Sequence, residues 1–168
     1  MTEIYRAGSQ LTKIKAFMAF TLLVAAGGLY WGWDLFNNYG LVPGDGGVLA
    51  PVGQRLAWGL SVAGLGLAML YGMWLYGCQY AARIDYDPSA DALHVRTLQF
   101  LATREEVYAA SEVVESTWHH GRMDTGEGVS VNAPWFFVRF RNRRWRLIVD
   151  GQGIFADPGL AARLLKAD

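Results

Sequence analysis

The chain has 168 residues, with fifteen basic and fifteen acidic side chains, so no net charge draws it toward nucleic acid. Hydrophobic residues make up 52% and charged residues only 18%, short of the roughly 25% charge of soluble globular domains. A single cysteine, Cys78, excludes an internal disulfide and a zinc site built on several thiolates.

The missing charge is concentrated in two runs. No Asp, Glu, Lys, Arg or His stands between Ala16 and Trp33, or between Leu56 and Ala82. Apolar runs of about 18 or more residues are long enough, at about 1.5 Å per residue, to cover a hydrocarbon core of about 30 Å. The sequence therefore predicts a transmembrane helical hairpin over 16–82, with spans at 16–36 and 56–80 joined by an outer loop at 37–55. Lys13 and Lys15, with Val24-Ala25-Ala26 beyond them, also fit a signal peptide. Tyr30, Trp31 and Trp33 form an interfacial anchor at the far end of the run, so it reads as a retained span. The loop contains LVPGDGG, a surface-turn composition.

Lysine and arginine are biased to the two ends. Arg6, Lys13 and Lys15 lie in the N-terminal segment 1–15, and Arg83, Arg96 and an arginine cluster follow the second span. The loop offers only Arg55 against Asp34 and Asp45. This bias predicts that both termini are cytoplasmic, in a bacterial inner membrane or its mitochondrial or plastid equivalent.

The uncharged runs 16–33 and 56–82 carry no Asp, Glu, Lys, Arg or His that would mark an ion or proton path. They also lack histidine, the usual axial ligand for haem or chlorophyll. Instead they hold small residues at a spacing of four, Gly59/Ala63 and Gly64/Ala68/Gly72, besides Ala25, Ala26, Gly27 and Gly28. Such faces let helices approach closely. Either the two spans pack on each other there, or a further helix from a partner does.

From residue 83 the period changes from helical to alternating. RIDYDPSADALHVRTL reads as strand, turn and strand, with the turn at Asp87-Pro88-Ser89. EEVYAASEVVES is ambiguous between strand and short helix, and GRMDTGEG at 121–128 reads as a loop. WFFVRFRNRRWRLIVDG reads as a hairpin turning near Asn142-Arg143. Phe136, Val138, Phe140, Trp145, Leu147 and Val149 would form its apolar face, with Trp135, Phe137, Arg139 and Arg141 opposite. Asp157-Pro158 then caps a C-terminal helix with a stripe of Leu160, Leu164 and Leu165. The predicted fold is thus a two-span helical hairpin plus a small α+β domain over 83–168, an antiparallel sheet closed by a C-terminal helix.

Candidate chemistry is sparse. His119-His120 are adjacent, so in a strand they point to opposite faces, and only His94 remains as another imidazole; a metal site needs three or four convergent ligands. Asp85, Asp87 and Asp91 have odd spacing but lack a calcium loop's glycine and distal glutamate. No nucleophile stands in a catalytic context, so the reading is non-enzymatic and without a cofactor. The remaining feature is RFRNRRWRL, with Arg139, Arg141, Arg143, Arg144 and Arg146. Residues 83–168 balance eleven basic against twelve acidic residues, which disfavours nucleic acid. Near an anionic leaflet each arginine gains on the order of 1 kcal/mol, and in protein interfaces the guanidinium pairs with carboxylates. The bland alternative is a solvated strand face. Trp135 and Phe137 on the arginine face favour a contact.

Two closely spaced spans followed by RIDYDPSADALHVRT and, near the end, GIFADPGL give a layout that resembles membrane-anchored pleckstrin-homology-like proteins. Assembly factors of the transmembrane protein 70 type and the chloroplast photosystem I assembly factor are of this kind. The resemblance implies a PH-like domain and a role as accessory subunit or assembly factor of a larger membrane complex, an energy-converting one. Its partners would be integral membrane subunits and membrane lipids. The alternative is a membrane-anchored lipid-headgroup-binding or signalling module.

Overall fold

The computed structural model describes residues 1–41, 44, 47–100, 102–124 and 130–166. It divides into two units. One is Ala16–Leu75; the other joins Met1–Lys15 to Tyr76–Asp168.

The first unit holds most of two long helices, α1 (Ser9–Asn38) and α2 (Val52–Gln79), whose outer ends, Ser9–Lys15 and Tyr76–Gln79, belong to the second. Both are long and apolar enough to cross a membrane. The buried residues of α1 are Met18, Thr21, Ala25, Gly28 and Gly32, alternate steps of three and four that make one narrow seam. Gly59 and Gly66 of α2 face it. A β-carbon at Gly32 would stand 2.6 Å from the Gly59 carbonyl oxygen, and one at Gly66 3.1 Å from the Ala25 α-carbon. The backbones therefore touch, and only glycine permits it. Thr21 hides its hydroxyl by donating to the Met18 carbonyl at 2.8 Å. The sequence did not decide whether the small residues serve this pairing or a further helix, and the structure divides them. Gly59 and Ala63 pack against Gly32, whereas nothing lies within 4 Å of a β-carbon at Gly64 or Gly72, and Ala68 is exposed beside them.

α1 ends at Gly40, whose φ of +97° is reserved for glycine and terminates the helix. Arg55 then donates from Nη1 to the Phe36 carbonyl at 2.9 Å and lies over the Phe36 ring. A cation at the carbonyl end of a helix is favoured by the helix dipole. Pro43 and Asp45 of LVPGDGG lie outside the described residues.

In the second unit, the N-terminal segment that the sequence sets apart is β1 (Thr2–Arg6), a strand inside the main sheet. That sheet runs β10-β1-β2-β3-β4, antiparallel between neighbours, with β2 (Ala81–Asp87), β3 (Ala92–Gln99), β4 (Ala102–Ala109) and β10 (Ile154–Phe155). The alternating pattern fails in β1, where Ile4 and Tyr5 are both buried. A bulge between Glu3 and Tyr5 sends both inward. Another bulge between Ala81 and Arg83 buries both Ala81 and Ala82.

The ambiguous stretch resolves as the end of β4, a single 3₁₀ turn at Ala110–Glu112, and β5 (Val113–His119). β5 starts a second sheet, β5-β8-β9, with β8 (Trp135–Phe140) and β9 (Leu147–Asp150). GRMDTGEG opens as a short strand, β6 (Arg122–Asp124), paired with β7 (Ser130–Asn132); residues 125–128 lie outside the described residues. Phe136, Val138, Phe140, Leu147 and Val149 are buried, as alternation requires, and Tyr108 stacks on Phe140 with centroids 4.4 Å apart. Trp145 departs from the expected apolar face. The hairpin turn spans all of 141–146, so Trp145 leaves the strand register and is half exposed. α3 (Pro158–Leu165) closes the core with Ala161 and Leu165; Asp157 Oδ1 accepts the Leu160 amide at 2.9 Å as its N-cap.

Two outcomes follow. Gly32→Leu forces the helices apart and costs about 1–3 kcal/mol of overpacking, lowering the thermal midpoint in detergent, whereas Gly64→Leu leaves it unchanged. Deleting residues 1–6 abolishes the cooperative unfolding transition of the β unit followed by circular dichroism, and Tyr5→Ala alone costs about 3–5 kcal/mol.

Candidate functional site

The five arginines of the cluster do not form one positive face. Arg139 points outward from β8 opposite Glu115, and Arg146 Nη2 lies 3.6 Å from Glu115 Oε1. Arg144 lies over the Trp145 ring, 5.1 Å from its centroid. Arg141 is exposed, with its amide held by the Glu112 carbonyl. Arg143 turns inward, with its side chain only 9% exposed. Its Nη2 donates to the Cys78 carbonyl at 2.8 Å, in the last turn of α2, and its Nε lies 3.6 Å from Glu106 Oε2. One arginine therefore caps a helix end, as Arg55 does, and one is neutralised at the surface. Surface ion pairs of the Arg146–Glu115 kind contribute at most about 1 kcal/mol.

Glu106 also accepts the Tyr108 hydroxyl at 2.6 Å. Burial first, and then that bond, push the Tyr108 hydroxyl up to about 12. Burial likewise raises the Tyr5 hydroxyl, which accepts the Asp150 amide at 3.2 Å. The other polar candidates are occupied by structural tasks. Arg83 Nε holds the buried Asp85 carboxylate, Asp87 accepts the Ser89 amide and hydroxyl, and Asp91 accepts the Tyr86 hydroxyl. His94 and Arg96 both bond Glu105 and hold its carboxyl below the usual carboxylate range. His119 stacks on Trp135 and meets Phe137 edge-on, while Trp118 donates to His120 at 3.2 Å.

A concavity of about 420 Å³ lies on the outward face of the β8–β9 hairpin. Its floor follows from register. Trp135 pairs with Asp150 and Phe137 with Ile148, so these four side chains share one face. Tyr80 bridges to Ile148 from the other side, and Tyr76, one helical turn earlier on α2, brings its ring to 5.7 Å from that of Tyr80. Ala133 and Pro134 complete the lining. Asp150 Oδ2 accepts the Tyr80 hydroxyl at 3.3 Å and Oδ1 accepts the Gln152 amide at 2.8 Å. Sequence reasoning found Trp135 and Phe137 but not Tyr76, Tyr80, Ile148 or Asp150. The pair spaced by four at the exit of α2, and the odd position of Asp150 on an alternating strand, are the signals that point to them.

Tyr30, Trp31 and Trp33 lie on the C-terminal part of α1, each about two-thirds exposed. Compared with known proteins, the chain matches no family model and no curated sequence.

Tyr5 and Tyr108 are acids whose neutral forms the fold favours. Their contribution to stability is complete below the ordinary tyrosine value of 10 and is lost as pH rises through the folded-state value, about 12 for Tyr108. Alkaline unfolding should therefore track tyrosinate absorbance above pH 10, and Tyr108→Phe should reduce its steepness.

Proposed function

We propose that the chain is a non-catalytic, two-span membrane protein serving as accessory subunit or assembly factor of a larger membrane complex, an energy-converting one. The observation that carries the membrane half of this reading is the exposure of the two helices. Apart from one glycine seam, their surface is apolar and open: Leu23, Leu60 and Leu65 are each more than 60% exposed. In water that surface would drive aggregation; in hydrocarbon it is the ordinary outer face of a span. Aromatic side chains sit toward both ends, Trp31, Trp33 and Trp58 at one and Tyr71, Trp74 and Tyr76 at the other, where an interface favours them. Because β1 pairs with β2, a hairpin inserted between them crosses twice and returns to its side of departure. The lysine and arginine bias makes that side the cytoplasm.

The partner half rests on two features. The open stripe of Gly64, Ala68 and Gly72 fits a further helix at close range. Arg139, Arg141 and Arg144 remain free of carboxylate partners among the described residues and suit an acidic protein surface. Two antiparallel sheets closed by α3 support a PH-like assignment of the β unit. The second reading, a lipid-headgroup module, is favoured by the aromatic cavity.

Mild detergent extraction, native sizing and mass spectrometry of the isolated particle test the first reading. Other integral membrane subunits should accompany the chain, and replacing Arg139, Arg141 and Arg146 with Ser should reduce their recovery. A chain that runs alone, or only with copies of itself, defeats this reading.

A further inference from the structure

The cavity on the β8–β9 hairpin has a composition that selects a ligand class. Three partly exposed aromatic side chains, Tyr76, Trp135 and Phe137, share the lining with one carboxylate, Asp150, while Tyr80 is buried behind them and holds that carboxylate through its hydroxyl. That carboxylate has no Lys, Arg or His partner among the described residues; it receives only the Tyr80 hydroxyl and the Gln152 amide. A carboxylate on an aromatic wall repels anions, and a neutral apolar guest would cover it without pairing its charge. Calcium and magnesium need several oxygen ligands, and among the described residues the lining carries no second acidic group. An alkylammonium ion meets every term. Its charge pairs with the carboxylate, and its polarised N-methyl or methylene groups pack on ring faces, the arrangement by which aromatic cages hold quaternary ammonium groups.

We propose that this cavity binds an organic ammonium group, with Asp150 as its counter-ion, Trp135, Phe137 and Tyr76 as its walls, and the buried Tyr80 positioning the carboxylate. The volume of about 420 Å³ lies within the range of about 300–1,000 Å³ for small-molecule sites, so more than the ammonium enters. His119, stacked on Trp135 and edge-on to Phe137, steadies two of the walls. The same chemistry is offered by a lipid headgroup and by a free amine. Tyr76 and Tyr80 stand at the end of α2, one inside its last turn and one just beyond. The proposal is independent of the accessory-subunit reading, since a chain without partner subunits keeps the cavity.

The test uses the purified full chain in an uncharged maltoside detergent. Isothermal titration calorimetry compares tetramethylammonium and choline with 3,3-dimethylbutanol, the uncharged isostere of choline. In parallel, native mass spectrometry follows retention of phosphatidylcholine and phosphatidylethanolamine against phosphatidylglycerol. Saturable binding of the ammonium compounds over the isostere is expected. Asp150→Asn should weaken it about tenfold or more by removing the counter-ion, and Phe137→Leu about threefold to tenfold by removing a ring while keeping apolar bulk. Asp150→Asn also touches a turn, so Phe137→Leu keeps the test decisive if the first variant misfolds. Preference confined to lipids assigns a headgroup, and preference confined to choline and tetramethylammonium assigns a free amine. Equal affinity for the isostere, or binding unchanged in both variants, overturns the proposal.

Discussion

The pairing of Thr2–Arg6 with Ala81–Asp87 is the contact on which the rest of the molecule depends. Everything between these strands, including both long helices, must leave the sheet and come back to it. The bulge at Glu3/Tyr5 lets this five-residue strand deliver both Ile4 and Tyr5 to the interior. Tyr5 packs its ring on Phe155 and its hydroxyl on the Asp150 amide, so one side chain joins β1 to β10 and to the end of β9. Gly153 has no room for a β-carbon because the Tyr5 ring occupies the space. The helical hairpin is therefore an insertion in a β domain, with the domain's own first strand lying ahead of it.

That arrangement explains what could and could not be read from the chain. The long helices were legible because their apolar runs are uninterrupted by charge, and α3 because Asp157-Pro158 is a start signal with a local mechanism. β8 and β9 were legible from strict alternation. β1 was not, because a bulge breaks its period and its partner is about eighty positions away in sequence. Trp145 was misassigned because counting in twos through a six-residue turn carries no phase information. Inside the helices, the small residues singled out in the sequence included Gly59, Ala63, Ala25 and Gly28 of the seam but not Gly32 or Gly66. Which face of a helix meets its neighbour is a tertiary fact.

The arginine cluster shows a similar limit. Its charge density suggests one shared task, yet burial and neighbours divide it. Arg143 serves the end of α2, Arg146 meets Glu115, and Arg144 covers Trp145. The candidate site lies on the same hairpin but in its aromatic half, where cross-strand register sets Asp150 beside Trp135. Only Trp135 and Phe137 were visible from alternation; Tyr76 joins them from the last turn of α2, and the buried Tyr80 just beyond it holds Asp150.

The insertion also sets an order of events during synthesis. β1 leaves the ribosome first, but residues 7–80 must follow before β2 exists to pair with it. Sequence-distant pairing of this kind slows folding, because the loop must close before any contact rewards it. Here the loop is two rigid helices that zip together along a glycine seam. Completion of the main sheet therefore waits on synthesis of the whole helical pair.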